Sequence, residues 1–130
     1  MPVTVENPVS KVFDRWSVAV RDIVGNNYSM NDRNTILKTP YARLLMLGNP
    51  TDTITLEGDE ISTIPSFQCD SFASGQKATS MAYEIDDISH KAMINMGFKR
   101  TYGPELLDNS DRTIKRVVSR YSRVYSGILV

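Results

Sequence analysis

The stretch PVSKVFDRWSVAVRDIV, residues 8–24, carries the pattern that decides the fold of this chain. Its apolar residues recur every three or four positions, which places them along one side of an α-helix. Asn7 can cap that helix with its side-chain oxygen, and Pro8 suits the first helical position. Gly25 supplies the positive φ at which helices commonly end. The pattern predicts a first helix over residues 8–24.

A second helical pattern lies after the middle of the chain. Residues 75–96 repeat alanine, methionine and isoleucine at helical spacing, with charged residues on the other face. Ser74 stands where an N-cap belongs, and Gly97 follows as a stop. The spacing predicts a second helix over residues 75–96.

Segments with the features of β-strands lie between the two helices. Residues 41–47 are an apolar run of strand length, and residues 61–73 alternate like a strand in which Pro65 favours a sheet edge or a late start. Residues 51–60 are acidic and rich in turn residues, which indicates a short exposed strand or a hairpin arm. Residues 26–39 lack periodicity and are predicted to form a surface loop.

Two further strands are predicted after the second helix. One covers residues 98–102 and turns at Gly103-Pro104, and the last covers residues 113–125. The order helix, strands, helix, strands predicts an α+β fold, with an antiparallel or mixed sheet and two helices packed on one face. A chain of 130 residues can bury one such core without disulfides or metals, so we expect a single domain over residues 1–130.

The composition argues against several classes of function. With Cys69 as the only cysteine and His90 as the only histidine, the chain can form neither an internal disulfide nor a Cys/His zinc site, and we expect no metal. The glycines are scattered singly, without a phosphate-binding loop or dinucleotide fingerprint, so no cofactor is expected. The N-terminus lacks the features of a secretory signal, and no apolar run approaches about 20 residues, which favours a reducing cytoplasm and no membrane.

His90 is the one candidate for histidine chemistry. It lies four residues after Asp86 in the predicted second helix, a spacing at which a carboxylate can contact the imidazole. A catalytic dyad would have this pattern, but an exposed pair on a helix surface is simpler because no nucleophile or oxyanion-binding turn lies nearby. We therefore expect no catalytic residue and no enzyme activity.

Charge is distributed unevenly along a chain that is neutral as a whole. Residues 1–98 carry 8 basic and 12 acidic side chains, whereas residues 99–130 carry 7 basic and 3 acidic. These opposite charges can bring one copy against the next, head to tail, or they can cancel within the fold, which is the simpler alternative. The acidic loop around Gly58 does not have the spacing of a calcium site.

The last predicted strand is the best local candidate for binding an anionic partner. Its alternation puts Arg116 and Arg120 on one side and Lys115 and Arg123 on the other, so the charge does not form a single stripe. Arginine and tyrosine are favoured at protein interfaces. Because the chain is neutral overall, protein partners are favoured over nucleic acid.

Several segments together carry a family resemblance. They are Met96-Gly97-Phe98-Lys99-Arg100-Thr101, Pro104, Asn109-Ser110-Asp111 and Ile114-Lys115-Arg116-Val117-Val118-Ser119-Arg120-Tyr121, with Pro40-Tyr41 and Phe67-Gln68 before the second helix. Over most of residues 8–125 the chain thereby resembles small tail-completion proteins of long-tailed bacteriophages, in particular tail terminators similar to that of phage lambda. The segments are specific together and weak singly.

The resemblance implies a structural virion protein. Tail terminators have a sheet with helices packed against it and form a six-membered ring on the head-proximal end of the tail tube. There the ring stops tube polymerisation and presents a docking surface to the head connector. The implied partners are other copies of this chain, the tail tube protein and the head connector or stopper, while DNA passes through the ring without specific binding. The implied location is the virion tail, with assembly in the host cytoplasm.

The resemblance also suggests where subunits meet. We predict that basic side chains of the last strand engage acidic groups of a neighbouring subunit or of the tube protein, with the acidic loop as a candidate partner. Alternatively, the acidic loop faces the channel and repels passing DNA. The residues concerned are Arg116, Arg120 and Arg123 on the strand, and Asp52, Glu57, Asp59 and Glu60 in the loop.

Other functions stay open on the sequence alone. The loop at residues 26–39 does not match the family, and the resemblance does not separate a tail terminator from a head-completion or stopper-like connector at the head-tail joint. A small nucleic-acid-binding module that uses the last basic strand is a third alternative. An enzyme that uses His90 is the fourth.

Overall fold

Seven strands and two helices make up the part of the chain that the computed structural model describes, residues 2–30 and 38–129. Five strands form a mixed sheet in the order β1-β2-β5-β7-β6, and β3 and β4 form a separate two-stranded hairpin. Only the β1–β2 pair of the larger sheet is parallel. In chain order the elements are α1 Val9–Val24, β1 Tyr28–Ser29, β2 Tyr41–Gly48, β3 Thr51–Ile54, β4 Glu60–Thr63, β5 Ser66–Ser74, α2 Ala78–Asn95, β6 Lys99–Leu107 and β7 Ile114–Ser122.

Both helices pack on one face of the large sheet, and the predicted α+β fold is confirmed. The α1 stripe buries Val12, Trp16 and Val20 completely, and α2 adds Ile85 and Met93 to the same core. The sheet contributes alternate residues of its central strands because strand side chains point to opposite faces with a period of two. These sheet residues of the core are Ala42 and Leu44 on β2, Phe67 and Cys69 on β5, and Tyr121 on β7.

The first helix begins where the sequence predicts, within one residue. The side-chain oxygen of Asn7 accepts the backbone amide of Val9 at 2.9 Å, which satisfies one of the donors that a helix start leaves free. Gly25 ends the helix at a φ of +64°.

The second helix starts three residues later than predicted, and the N-cap assigned to Ser74 is wrong. Ser74 is the last residue of β5, where it pairs with Ile114 of β7, and its hydroxyl contacts the hydroxyl of Thr39. The backbone stays extended through Ser74 because the sheet pairing continues to that point. Gly75 then turns the chain at a φ of +95°, and the amide of Ala78 bonds to the Gly75 carbonyl at 3.2 Å.

The prediction of one continuous strand over residues 61–73 is wrong, since this segment contributes to two sheets, but the late start that Pro65 favours is confirmed by β5, which begins at Ser66. Strand β4 belongs to the hairpin and β5 to the large sheet, with Pro65 between them. Proline has no amide to donate to a ladder, so the pairing is interrupted where it stands. The expected hairpin arm in the acidic segment is confirmed as β3 and β4.

Two further predictions of chain path need correction. Gly103-Pro104 does not turn the chain: β6 runs through it, with an irregular register against β7 between Tyr102 and Glu105. In the segment predicted as a loop, Tyr28–Ser29 forms β1, which pairs in parallel with Ala42 and Arg43 of β2. Residues 31–37 of that segment lie outside the described residues.

Candidate functional site

The sheet face opposite the helices carries a network of charged side chains that spans three strands. Arg43 of β2 lies directly across from Asp70 of β5, and its Nε donates to Asp70 Oδ2 at 2.8 Å. Arg116 of β7 approaches Asp70 Oδ1 from the other side at 3.6 Å. Asp70 is 1% exposed and Arg43 5% exposed, although none of the described helices packs on this face. One buried carboxylate therefore holds two guanidinium groups in fixed positions.

The network continues toward the sheet edge through neutral and aromatic groups. The Gln68 amide donates to Asp70 Oδ1 at 2.9 Å, and its carbonyl accepts from Arg120 Nε at 3.0 Å. The Arg120 guanidinium lies 5.2 Å from the centre of the Tyr102 ring on the edge strand β6. The Tyr102 hydroxyl donates to Glu105. We call this set of side chains the arginine face, and define it as Arg43, Gln68, Asp70, Tyr102, Glu105, Arg116 and Arg120.

The arginine face is suited to recognition of an acidic surface. It carries three guanidinium groups against two carboxylates, and Arg120 is exposed to solvent. A guanidinium offers five donors in a fixed fork that matches carboxylate geometry, and pairing within the network already restricts its conformations. Binding of a partner that supplies carboxylates would therefore cost less side-chain conformational entropy here than binding to freely rotating lysines.

Arg123, the third predicted basic residue, lies apart from the other two. It faces the helix side, as the predicted alternation of the last strand requires, and its guanidinium donates to the Met96 carbonyl at the end of α2. Its Nε also donates to the Val124 carbonyl at 3.0 Å. The predicted set of three arginines is thus divided between two faces of the sheet.

The predicted acidic residues all lie on the β3–β4 hairpin or its turn. Asp52 accepts from the Ser62 hydroxyl at 2.9 Å, across the hairpin. Asp59 accepts from the Val3 amide at 2.8 Å and Glu60 from the Val5 amide at 2.7 Å, so these two residues hold the N-terminal segment against the hairpin. Hydrogen bonds from the Thr51 hydroxyl and the Val5 amide lower the pKa of Glu60.

Glu57 differs from the other acidic residues because it is exposed at the turn and makes no hydrogen bond or ion pair within the described part of the chain. Among residues 2–30 and 38–129, no ion pair joins the hairpin acids to the predicted arginines. The opposite charges therefore do not cancel by direct pairing between these two segments. Cancellation within the fold is seen instead at Asp70.

A second polar cluster, which the sequence did not predict, lies between α2 and the sheet. Asp86 accepts from Ser119 at 2.7 Å and from Arg100 at 3.2 Å, while His90 Nδ1 lies 3.1 Å from the Tyr121 hydroxyl. Asp86 is 2% exposed, so the prediction of an exposed Asp86–His90 surface pair is wrong. The helical spacing was correct, but it does not reveal that β6 and β7 supply Arg100 and Ser119 over this carboxylate.

Burial is the main cause of the pKa shifts in this cluster. It raises the pKa of Asp86, against the opposing effects of the Ser119 hydrogen bond and the Arg100 charge. Burial also lowers the pKa of His90, as does the Arg100 guanidinium, while Asp86 and Asp87 oppose them. The pKa of Tyr121 is raised, again chiefly by burial. The hydrogen bonds of this cluster connect α2 to β6 and β7. We therefore interpret the cluster as structural.

The His90→Gln variant is expected to remove a pH dependence of stability. Because the pKa of His90 in the folded chain lies below its ordinary value of 6.5, the unfolded chain binds a proton more readily. The free energy of unfolding that His90 contributes is therefore complete above pH 6.5 and falls as the pH drops toward the folded-state pKa. Urea unfolding at a series of pH values should show the wild-type chain losing stability relative to His90→Gln on acidification. A constant difference between the two would contradict the assignment.

The remaining features give no indication of a metal site or a membrane segment. No group of three or more possible metal-ligating His, Cys, Asp or Glu side chains occurs in residues 2–30 and 38–129. Neither α1 nor α2 is both long and apolar enough to cross a membrane. Cys69 is fully buried, and its burial raises the pKa of the thiol.

Comparison with known proteins adds no family assignment. No protein-family model matches the chain, and no curated protein shows significant similarity to it.

Proposed function

We propose that this chain is a structural subunit of a bacteriophage tail that assembles head to tail into a ring at the head-proximal end of the tail tube. In this position the ring ends tube polymerisation and offers a docking surface to the head connector. The subunits contact each other, the tube protein and the connector, and DNA passes through the ring without specific binding.

The observation that carries this proposal is the presence of two complementary surfaces on one chain. The arginine face presents the partly exposed Arg116, held by Asp70, and the exposed Arg120, held by Gln68. The β3–β4 hairpin presents carboxylates held by the N-terminal segment. The two surfaces lie on different sheets of the same molecule. Different and complementary patches on one chain produce head-to-tail contacts, which close into a ring when the rotation between subunits permits.

The sequence resemblance to tail terminators supports the more specific part of the proposal. The segments that carry it lie mainly in β2, β5, β6 and β7 of the fold, and they include Arg116 and Arg120 of the arginine face. An outward basic surface of this kind suits the acidic side of a tube or connector subunit. Charge complementarity would orient the incoming partner before the apolar contacts form.

The decisive experiment is electron microscopy of particles made when the gene for this chain is disrupted in its parent phage. We expect headless tails of abnormal and variable length, because an unterminated tube continues to polymerise. Expression of the wild-type chain from a plasmid is the control, and should restore tails of uniform length. Tails of normal length beside full or leaking heads would contradict a terminator and place the protein on the head side of the joint, as a stopper-like connector.

A further inference from the structure

The tip of the β3–β4 hairpin is a rigid turn that exposes an apolar side chain. The Thr55 carbonyl accepts from Gly58 at 3.0 Å, the Thr55 amide donates to Asp59 at 2.8 Å, and the Asp59 amide donates to the Thr55 hydroxyl at 2.9 Å. Gly58 has a φ of +88°, which suits the residue after a two-residue turn. Leu56 and Glu57 occupy the turn, and Leu56 is 103% exposed. Leu56 therefore projects fully into solvent beside Glu57, at the tip of a hydrogen-bonded turn.

The base of the hairpin borders a groove with the complementary properties. Ile64 and Val124 supply its apolar wall, and Val124 is 58% exposed. Lys99 and Arg123 supply positive charge at its rim. Lys99 is exposed and has no ion-pair partner within the described part of the chain. The groove thus combines an apolar surface with positive charge. The tip combines an apolar side chain, Leu56, with a negatively charged one, Glu57.

A tip cannot reach the groove of its own chain. Ile64 directly follows β4, whereas the turn precedes it, so the strand separates them by about 13 Å at the ordinary rise of an extended chain. The ladder with β3 and the hydrogen bonds to the N-terminal segment keep the hairpin extended. At the base, the backbone of Thr63 exchanges two hydrogen bonds of 2.8 Å with Tyr125, which fixes the hairpin relative to the groove.

From this geometry we propose that the hairpin tip of one copy docks in the groove of the next copy, with Leu56 against Val124 and Ile64 and with Glu57 beside Lys99 and Arg123. The occupant is a second copy because the charge and the apolar content of the tip match those of the groove. The contact is heterologous, since the tip and the groove are different surfaces of each chain. This inference rests on the proposed ring. It assigns the hairpin tip to the groove of the next copy and leaves the arginine face to acidic groups of the tube or connector protein.

Engineered disulfides test the contact directly. Because Cys69 is fully buried, a chain with Leu56→Cys and Val124→Cys has only these two accessible thiols. We expect mild oxidation of the purified double variant to give a ladder of covalent multimers on non-reducing gels, up to the full ring. Each single variant should give no ladder. A matched control, Leu56→Cys with Val18→Cys, pairs the tip with an exposed position on α1, where Val18 is 62% exposed, and should also give none.

Substitutions that reverse the charges at the proposed contact provide a second test. In the double-cysteine chain, Glu57→Lys should reduce the cross-linked fraction severalfold, as should Lys99→Glu, and combining the two should restore it. A dimer formed by Leu56→Cys alone, a ladder from the Val18 control, or no ladder from the double variant would each overturn the interface. Multimers detected by mass without the cross-link would reject this contact and leave the proposed ring intact, whereas tails of normal length after gene disruption would reject the proposed ring itself.

Discussion

Replacement of Asp70 by alanine is expected to lower the free energy of unfolding by about 3–5 kcal/mol, as measured by urea denaturation. The carboxylate is 1% exposed and accepts hydrogen bonds from Arg43 and Gln68 while Arg116 lies 3.6 Å away. Its removal deletes the carboxylate that pairs with the Arg43 guanidinium, on a residue only 5% exposed. The cost arises mainly from the loss of this buried ion pair.

Two further variants separate that cause from a simple loss of packing. In a chain with both Arg43→Met and Asp70→Leu, apolar side chains replace this buried ion pair. Much of the stability should return, because apolar residues of similar size often replace buried ion pairs without loss. Asp87→Ala is the matched control on the surface. It breaks the exposed 3.1 Å pair with Lys91 and should cost less than about 0.5 kcal/mol. Equal losses for Asp70→Ala and Asp87→Ala would contradict the central role of the buried carboxylate.

Gly103→Ala is the second substitution with a large expected effect. Gly103 has a φ of +86°, and a Cβ added there would lie 2.2 Å from the Val118 carbonyl oxygen and 3.0 Å from Ser119 Cα. Both neighbours are backbone atoms of β7, so relief of the contact requires the two strands to separate. We expect the free energy of unfolding to fall by more than about 3 kcal/mol, the sum of the conformational penalty and the overpacking.

Gly75→Ala is the control for the conformational part of this effect. Gly75 also has a positive φ, +95°, but a Cβ there would meet no atom within 4 Å. Its substitution should cost only the conformational penalty, about 1–2 kcal/mol. Thermal or urea unfolding of both variants gives the difference. If Gly103→Ala were no more destabilising than Gly75→Ala, β6 and β7 would not approach each other as closely as described.

The elements that the sequence predicted well are those whose signal is local. The apolar stripe that includes Val12, Trp16 and Val20 has the helical period, and Asn7 and Gly25 mark its ends, so α1 was predicted nearly to the residue. The start of α2 was misplaced because tertiary pairing decides it. Ser74 has the side chain of a helix cap, but β7 continues to pair with it and holds it in the sheet.

The candidate site was only partly predictable for the same reason. Alternation along the last strand correctly separated Arg116 and Arg120 from Arg123. Alternation does not reveal which residue of a neighbouring strand lies opposite a given residue. The register between β2 and β5 is what places Arg43 beside Asp70. The one signal was an aspartate in the middle of an otherwise uncharged strand, because such a residue must find a compensating partner when it is buried. Likewise, the helical spacing of Asp86 and His90 did not reveal that Arg100 comes from another element.

The fluorescence of Trp16 can distinguish unfolding of the chain from dissociation of its subunits. Trp16 is the only tryptophan, it is fully buried, and its Nε1 donates to the Ser89 hydroxyl of α2 at 3.0 Å. Its fluorescence therefore reports the contact between α1 and α2, and the emission maximum should move to longer wavelength when the chain unfolds. The residues of the proposed tip-to-groove contact lie outside its core cluster. Subunit association through the hairpin should leave the emission spectrum unchanged, so the spectrum of one sample distinguishes a ring that dissociates from a subunit that unfolds.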